Sequence, residues 1–220
     1  MSWSQPVHLY CERTDPSFWA EPLNTLTNIA FLIAALAAFR LWRQKGARDL
    51  TALALIFVTA LVGLGSFTFH ALATQGAMLA DVIPIAIFVY GYLFLALRRF
   101  LQISFAPAFA ILAVFIGVSQ GMSYFLPDHF LNGSGEYLPP LTAMIVVGLL
   151  IQAQGPRRGM LFAALIFAVS LVFRTIDLAV CDVFPLGTHF VWHLLNACVL
   201  YVLLRTMIGE EALDRKAILV

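Results

Sequence analysis

The sequence predicts an all-α, polytopic membrane protein, a single domain of residues 1–220 built as a bundle of seven transmembrane helices. Three observations lead to this prediction. The chain is 61% hydrophobic and only 11% charged, which is far more apolar than a soluble domain of this size requires. Apolar runs of about 20 residues, the length that crosses a bilayer, recur along the chain. The basic residues gather in alternate connections between those runs.

Seven apolar segments define the helices in chain order. The second and third are joined by the tight turn ATQGA, and the fifth is short and opens with Pro139 and Pro140, which suit the first turn of a helix but not its interior. The start of the chain has neither a basic n-region nor an apolar h-region, so we expect no cleaved signal peptide. The predicted helices cover residues 22–43, 50–72, 77–97, 105–125, 138–153, 160–180 and 188–208.

The basic residues orient this bundle. Of the thirteen Lys and Arg residues, all but two fall on one side of a seven-helix arrangement. Positive charge is retained in the cytoplasm, so the N-terminus is predicted outside and the C-terminus inside. Residues 1–21 then form an outer N-terminal segment and residues 209–220 a cytoplasmic tail. The residues on the cytoplasmic side are Arg40, Arg43, Lys45, Arg48, Arg98, Arg99, Arg157, Arg158, Arg205, Arg215 and Lys216.

Three histidines are predicted to meet near the outer face. His189 and His193 are separated by four positions, which places both imidazoles on one face of the last helix, as zinc-binding helices require. Taken alone, the pair could equally be two histidines that form hydrogen bonds at a helix end. His70 reaches the same depth on the second helix, and three histidines with one open position form a common catalytic zinc site. The sequence therefore predicts zinc. The two other histidines, His8 and His129, lie in outer segments.

Ser66 and Asp81 are the candidate catalytic residues beside this site. Ser66 lies one turn before His70 on the same helix face, although a serine in a membrane helix often only bonds the carbonyl four residues earlier. Asp81, at the start of the third helix, could orient water, take its proton or hold a histidine, or could simply cap its helix. Arg174 and Asp177, three positions apart on the sixth helix, are expected to form a structural pair.

Two cysteines lie in outer segments. Cys11 is in the N-terminal segment and Cys181 is at the outer end of the sixth helix, where an oxidising compartment would preserve a disulfide. Cys198, inside the last helix, is expected to be packed. A bridge between Cys11 and Cys181 is consistent with their shared side of the membrane.

The combination of these residues resembles the alkaline ceramidases, whose superfamily includes the adiponectin-type receptors. The resemblance rests on Ser66 and His70 four residues later, Asp81 eleven residues further on, and His189 and His193 on the last helix. It extends to WAEPLNTLTN in the first helix, to the YCE motif of the N-terminal segment, and to IDLAVCD at the end of the sixth helix. It covers nearly the whole chain.

The resemblance implies a zinc-dependent amidohydrolase whose substrate comes from the bilayer. It implies that His70, His189 and His193 bind zinc, that Ser66 and Asp81 are catalytic, and that Cys11 and Cys181 form a disulfide.

Calcium is a further implication of the same resemblance. Eukaryotic members of the family have a calcium site near the N-terminus. Glu12 and Glu21 correspond to two of its ligands, and Asp15 could compensate for a third. The expected aspartate and asparagine are replaced by Leu9 and Thr14, and the segment between them and Glu21 is shorter.

These features predict a hydrolase of the N-acyl amide bond of ceramide or a ceramide-like lipid. One alternative keeps the zinc site and changes the substrate to an ester-linked or other lipid. Another is a receptor or lipid-binding protein in which the zinc is structural. The expected partners are a membrane lipid and the bilayer, with no nucleic acid. The short loops favour a bacterial inner-membrane protein, and the predicted orientation places its active site toward the outer face, periplasmic or lumenal.

Overall fold

The computed structural model describes residues 3–127 and 130–218, and the parts it describes are helical apart from a non-helical N-terminal segment and the connections between helices. His129 lies outside the described residues. The helices are α1 (Pro22–Thr27), α2 (Ile29–Gln44), α3 (Leu50–Leu72), α4 (Gln75–Arg99), α5 (Phe105–Phe125), α6 (Leu138–Leu150), α7 (Gln154–Ile176) and α8 (His189–Ile218). Short 3₁₀ segments occupy Phe130–Tyr137 and Leu178–Val180.

Six helical spans in the described parts of the chain are long and apolar enough to cross a membrane, and the first of them combines α1 and α2. The protein is therefore an all-helical, multi-pass membrane protein. The predicted fifth helix is α6, which has only 13 residues. That is about 20 Å of helix, against a hydrocarbon core of about 30 Å.

The predicted boundaries differ from the observed ones at several helices, and α7 covers Gln154–Ile176 instead of residues 160–180. The first predicted helix is divided at Asn28 into α1 and α2, and the last continues to Ile218 instead of ending at 208. A polar sequence such as GEEALDRK can remain helical because Glu, Ala, Leu, Arg and Lys all have high helix propensity. Cys198 is exposed on α8, not packed as expected.

The helices pack so that α8 lies at the centre of the site. It contacts α2, α3 and α7, while α3 also packs along α4. The largest hydrophobic core contains residues of α3, α4, α7 and α8, among them Leu55, Phe88, Phe167 and Leu204. This packing brings the beginning of α8 beside the end of α3, at what we call the site end of the bundle.

An N-terminal strap, residues 3–21, lies over the site end. It pairs with the turn between α3 and α4: the Val7 amide donates to the Ala73 carbonyl (2.8 Å), and the Gly76 amide donates to the Trp3 carbonyl (2.9 Å). Ala73 adopts a left-handed conformation (φ 44°) that ends α3 and permits the turn. The predicted disulfide between Cys11 and Cys181 is confirmed and attaches the strap to the segment after α7.

The opposite end of the bundle is fixed by Asp49. Its carboxylate accepts hydrogen bonds from the Thr51 and Ala52 amides, which caps α3. It also accepts hydrogen bonds from Nη1 and Nη2 of Arg99 (2.5 and 2.8 Å). Burial raises the pKa of Asp49, but the hydrogen bonds and the Arg99 charge outweigh burial and hold it well below its usual value.

Candidate active site

Three buried histidines form a compact cluster at the site end. His70 comes from α3 and His189 and His193 from α8, and each is at most 2% exposed. One potential ligand nitrogen from each lies within 4.8 Å of the others, and among the described residues this is the only group of three His, Cys, Asp or Glu side chains with such geometry. The structure therefore brings together the three predicted zinc ligands.

The ring nitrogens of this cluster are suited to a metal ion. His70 Nε2 and His189 Nδ1 are buried and have no hydrogen-bond partner among the described residues. Burying such a group without a partner costs about 1–3 kcal/mol, so each requires an explanation. A metal bound by both nitrogens would supply one. Three imidazoles suit zinc, copper, iron or nickel, so the donor set fits a transition metal without selecting one.

His70 is oriented by Glu21. The Glu21 Oε2 atom lies 2.6 Å from His70 Nδ1, and the other carboxylate oxygen accepts from Arg13 Nε at 2.5 Å. Burial raises the pKa of Glu21. The hydrogen bonds and charges of His70 and Arg13 lower it by more, so that the pKa of Glu21 is below its usual value. A carboxylate on one imidazole nitrogen fixes the tautomer and frees the other for a metal. Glu21 was expected only as a calcium ligand, and its contact with His70 was missed.

His193 is oriented by Thr27, a residue that the sequence did not single out. The Thr27 hydroxyl lies 3.0 Å from His193 Nδ1 and 2.8 Å from the Leu23 carbonyl. A hydroxyl that donates to this carbonyl can accept from Nδ1–H, and in that arrangement His193 Nε2 is the unprotonated nitrogen that a metal requires.

Asp177 positions the third histidine. Its carboxylate is fully buried and accepts from the backbone amides of Cys11 (2.9 Å), Thr188 (2.6 Å) and His189 (2.9 Å). It therefore joins the strap to the beginning of α8. The expected pairing of Asp177 with Arg174 is wrong, because Arg174 instead contacts the segment between α5 and α6.

Ser66 and Asp81 line the same cavity from neighbouring helices. Ser66 is on α3 and is 4% exposed, and its hydroxyl interacts with the Asp81 carboxylate on α4. Asp81 Oδ1 is buried and has no hydrogen-bond partner in the described part of the chain. A carboxylate oxygen left free in this way can accept a proton or a water molecule.

A close approach of α3 and α4 brings these two residues together. Gly65 packs against the carbonyl of Ala80, and a Cβ atom at position 65 would overlap the oxygen of that carbonyl. Pro84, four residues after Ala80, has no amide hydrogen, so this carbonyl lacks its usual helical donor. It can therefore lie against the Gly65 backbone, where a Cα–H contact can partly replace the lost bond.

The site opens into an apolar cavity between the helices. The space between atoms, including the open mouth, is about 1070 Å³. Tyr10, Ser66, Asp81, His189 and His193 line one part of it, and Asn196 adds a polar side chain further along α8. The Tyr10 ring stacks on His189, with ring centroids 3.6 Å apart, and burial raises the pKa of the Tyr10 hydroxyl. The remaining wall is mostly apolar and includes Val62, Phe88, Leu93, Val147, Met160 and Leu203. The arrangement places a polar reactive end above a volume suited to a hydrocarbon chain.

The three carboxylates suggested as calcium ligands do not form a cluster with one another among the described residues. Glu12 accepts from the Leu23 and Asn24 amides (2.6 and 2.7 Å) at the start of α1. Asp15 is exposed and accepts from the Ser17 amide, and Glu21 binds Arg13 and His70. Burial raises the pKa of Glu12 despite those two hydrogen bonds.

Comparison with known proteins gives one result for the whole chain. The model of a protein family described as Ceramidase matches residues 9–217. The matched region includes the strap from Leu9 onward, all the helices and every residue of the site described above. No curated protein matches the chain.

Proposed function

We propose that this protein, which belongs to the ceramidase family, is a zinc-dependent membrane hydrolase that cleaves the N-acyl amide bond of ceramide or a ceramide-like lipid. Membership in the family implies a hydrolase that acts on amide bonds. The observation that carries the zinc and lipid assignments is the buried cluster of three histidines, two of which, His189 and His193, line an apolar cavity together with Ser66 and Asp81.

His70, His189 and His193 would hold the metal. When bound, zinc supplies Lewis-acid polarisation of a carbonyl and lowers the pKa of water to about 7. The chain prepares its ligands through Glu21 on His70 and Thr27 on His193, which fix the unprotonated nitrogens before any metal arrives.

Ser66 and Asp81 then divide the proton and charge handling. Hydrolysis forms a bond from water oxygen to the carbonyl carbon, breaks the carbon–nitrogen bond and moves a proton to the leaving amine. Ser66 can donate its hydroxyl hydrogen to the carbonyl oxygen as that oxygen gains charge. Asp81, with Oδ1 unpartnered, can accept the water proton and later deliver it to the amine nitrogen. The products are a fatty acid and a sphingoid base or another amine.

The apolar cavity supports a lipid as substrate. Ser66, Asp81, His189 and His193 line it toward the site end, so an amide can lie near the histidines while an acyl chain extends along the mostly apolar remainder. With the acyl chain in the apolar part of the cavity, the amide group would lie within reach of Ser66 and Asp81.

The topology proposed for this enzyme has seven crossings, with α6 completing the fifth. Arg174, near the end of α7, donates to the Asn132 carbonyl (3.0 Å) and to Ser134 Oγ (2.9 Å), which follow α5 in the chain. The end of α7 and the segment after α5 thus share one end of the bundle. Because α7 begins at the other end, residues 138–153 must run between the two. An odd number of crossings and the basic connections support a site facing outward, toward the periplasm of a bacterial inner membrane.

The test is fatty-acid release from a panel of N-acyl and O-acyl lipids by purified, zinc-loaded protein. Wild type should cleave the amides. Ser66→Ala should lose about 10²–10³-fold in turnover, and Asp81→Asn about 10²–10⁴-fold, with zinc retained in both. Thr68→Val, which removes a hydroxyl from the same helix that only bonds the Leu64 carbonyl, is the matched control.

Each other result points elsewhere. Cleavage of O-acyl lipids alone would replace the amide with an ester substrate. A zinc-loaded wild type that cleaves neither class would favour a receptor-like lipid-binding protein. Wild-type rates in both zinc-loaded variants would refute the roles of Ser66 and Asp81.

A further inference from the structure

The guanidinium of Arg13 occupies a buried position between the strap and α3. Arg13 is 4% exposed, and its nitrogens bond four oxygen atoms. Nε donates to the Glu21 carboxylate (2.5 Å). Nη1 donates to the carbonyls of Asp15 (3.1 Å) and Ser17 (3.2 Å), and Nη2 donates to the carbonyl of His70 (2.8 Å). One carboxylate and three backbone carbonyls therefore surround a single positive charge.

That set of acceptors is the type that a hard divalent cation uses. Calcium takes carboxylate and backbone carbonyl oxygens. Here the same kinds of oxygen are already satisfied by a guanidinium, which has five N–H donors and remains charged. A calcium ion could not share the Glu21 carboxylate with Arg13 without bringing two cations into contact in a buried place.

The two other expected calcium ligands are also directed elsewhere. The two Glu12 carboxylate oxygens cap the start of α1 through Leu23 and Asn24. The Asp15 carboxylate bonds the Ser17 amide at the surface, while only its backbone carbonyl faces Arg13. The residues present do not fit the calcium ion that the sequence resemblance suggested.

We propose that Arg13 is an internal cation that takes the place of a calcium ion and positions His70. Arg13 acts on His70 in two ways. It donates a hydrogen bond to the His70 backbone carbonyl, and it binds the Glu21 carboxylate, which in turn contacts the His70 imidazole. The orientation of one metal ligand therefore depends on a covalently attached charge, and the enzyme keeps its site formed without free calcium.

Two measurements that need no substrate test this proposal. The first is thermal unfolding in detergent with and without millimolar CaCl₂. Wild type should show no change in Tm with calcium. Arg13→Ala should unfold at a lower temperature, and calcium or methylguanidinium should restore part of the loss, because either can fill the vacated group of oxygens. Arg43→Ala, which removes an exposed arginine at the far end of α2, should behave as wild type.

The second measurement is the affinity for the bound metal, determined by equilibrium competition with a chelator. Losing a group that orients a metal ligand weakens metal affinity by about 10–100-fold. We expect that loss in Arg13→Ala, and partial retention in Arg13→Lys, which keeps the charge but not the planar fork. Arg13→Lys also provides the test if Arg13→Ala fails to fold.

A saturable rise in wild-type Tm with calcium would overturn the proposal. So would wild-type metal retention in Arg13→Ala or in the Arg13→Lys substitute, since His70 would then be positioned without this fork. A wild-type protein that cleaves no lipid would count against the proposed function but not against the role of Arg13. If the wild-type protein holds no metal, the unfolding measurements with and without CaCl₂ decide the role of Arg13.

Discussion

Replacing Gly65 with alanine should separate the two proposed catalytic residues without touching either of them. A Cβ at this position would overlap the Ala80 carbonyl oxygen and would lie 2.7 Å from its carbon and 3.2 Å from the Asp81 amide nitrogen. Non-bonded carbon atoms prefer a separation of about 3.5–4.0 Å, so α3 and α4 must move apart by about 1 Å. Ser66 follows Gly65 and Asp81 follows Ala80, and both would be displaced with their helices.

Both the stability and the activity of Gly65→Ala are expected to fall. Overpacking of this kind costs about 1–3 kcal/mol. A misplacement of about 1 Å in a catalytic site can cost roughly 10²-fold in rate. The assay is fatty-acid release by zinc-loaded Gly65→Ala, with metal content and Tm measured on the same sample. Gly117→Ala is the control, because no neighbouring atom lies within 4 Å of the corresponding Cβ on α5.

The reasoning would be refuted if folded Gly65→Ala kept wild-type turnover. Ser66 and Asp81 would then tolerate a separation that their proposed cooperation excludes. Equal loss of activity in Gly117→Ala would also count against it, since any added methyl group in a membrane helix would then have the same effect.

Three further predictions concern the connections that hold the site and the bundle. Asp177→Asn should lower stability by about 1–3 kcal/mol and weaken metal retention, because an amide cannot satisfy three buried backbone donors as a carboxylate does; Tm and chelator competition measure both effects. Non-reducing alkylation and intact-mass analysis should give one labelled thiol, and Cys11→Ala should lose about 2–4 kcal/mol if the bridge to Cys181 constrains the unfolded chain. Wild type should be more stable than Asp49→Asn above about pH 4, where Asp49 is ionised even in the unfolded chain. This difference in stability should disappear as the pH falls through the lower pKa of Asp49 in the folded protein. An unchanged difference at about pH 2 would show that the ionised Asp49 does not stabilise the fold through Arg99.

The histidine cluster could be predicted because its signals are local. His189 and His193 share a helix face by spacing alone, and the orientation of the helices places His70 at the same depth. Helix periodicity and charge asymmetry carry this information without any knowledge of tertiary contacts. The same reasoning located Ser66, one turn from His70, and both cysteines of the disulfide.

The residues that position the cluster could not be found in this way. Asp177 bonds amides at Cys11 and His189, which are distant in sequence, and Thr27 reaches His193 across 166 positions. Such contacts depend on which helix faces meet. Arg13 was missed because an arginine beside acidic residues near the surface is usually solvated, and only the folded strap buries it.

Helix boundaries were predicted least well for physical reasons that the sequence conceals. The break at Asn28 lies between the polar stretch NTLTN and the apolar run that follows it, and α8 continues beyond its apolar part through residues of high helix propensity. The predicted fifth helix is short, and it is the contacts of Arg174 with Asn132 and Ser134 in the folded chain that support a full crossing there.

The measurement that tests the central claim most directly is the metal content of purified protein, wild type against a His70→Ala, His193→Ala double variant. The account predicts close to one zinc per chain in wild type and little in the double variant, because a single imidazole with water binds zinc poorly. Ser66→Ala and Asp81→Asn should retain the wild-type amount. Near-stoichiometric zinc in the double variant would contradict the claim that these histidines hold the metal.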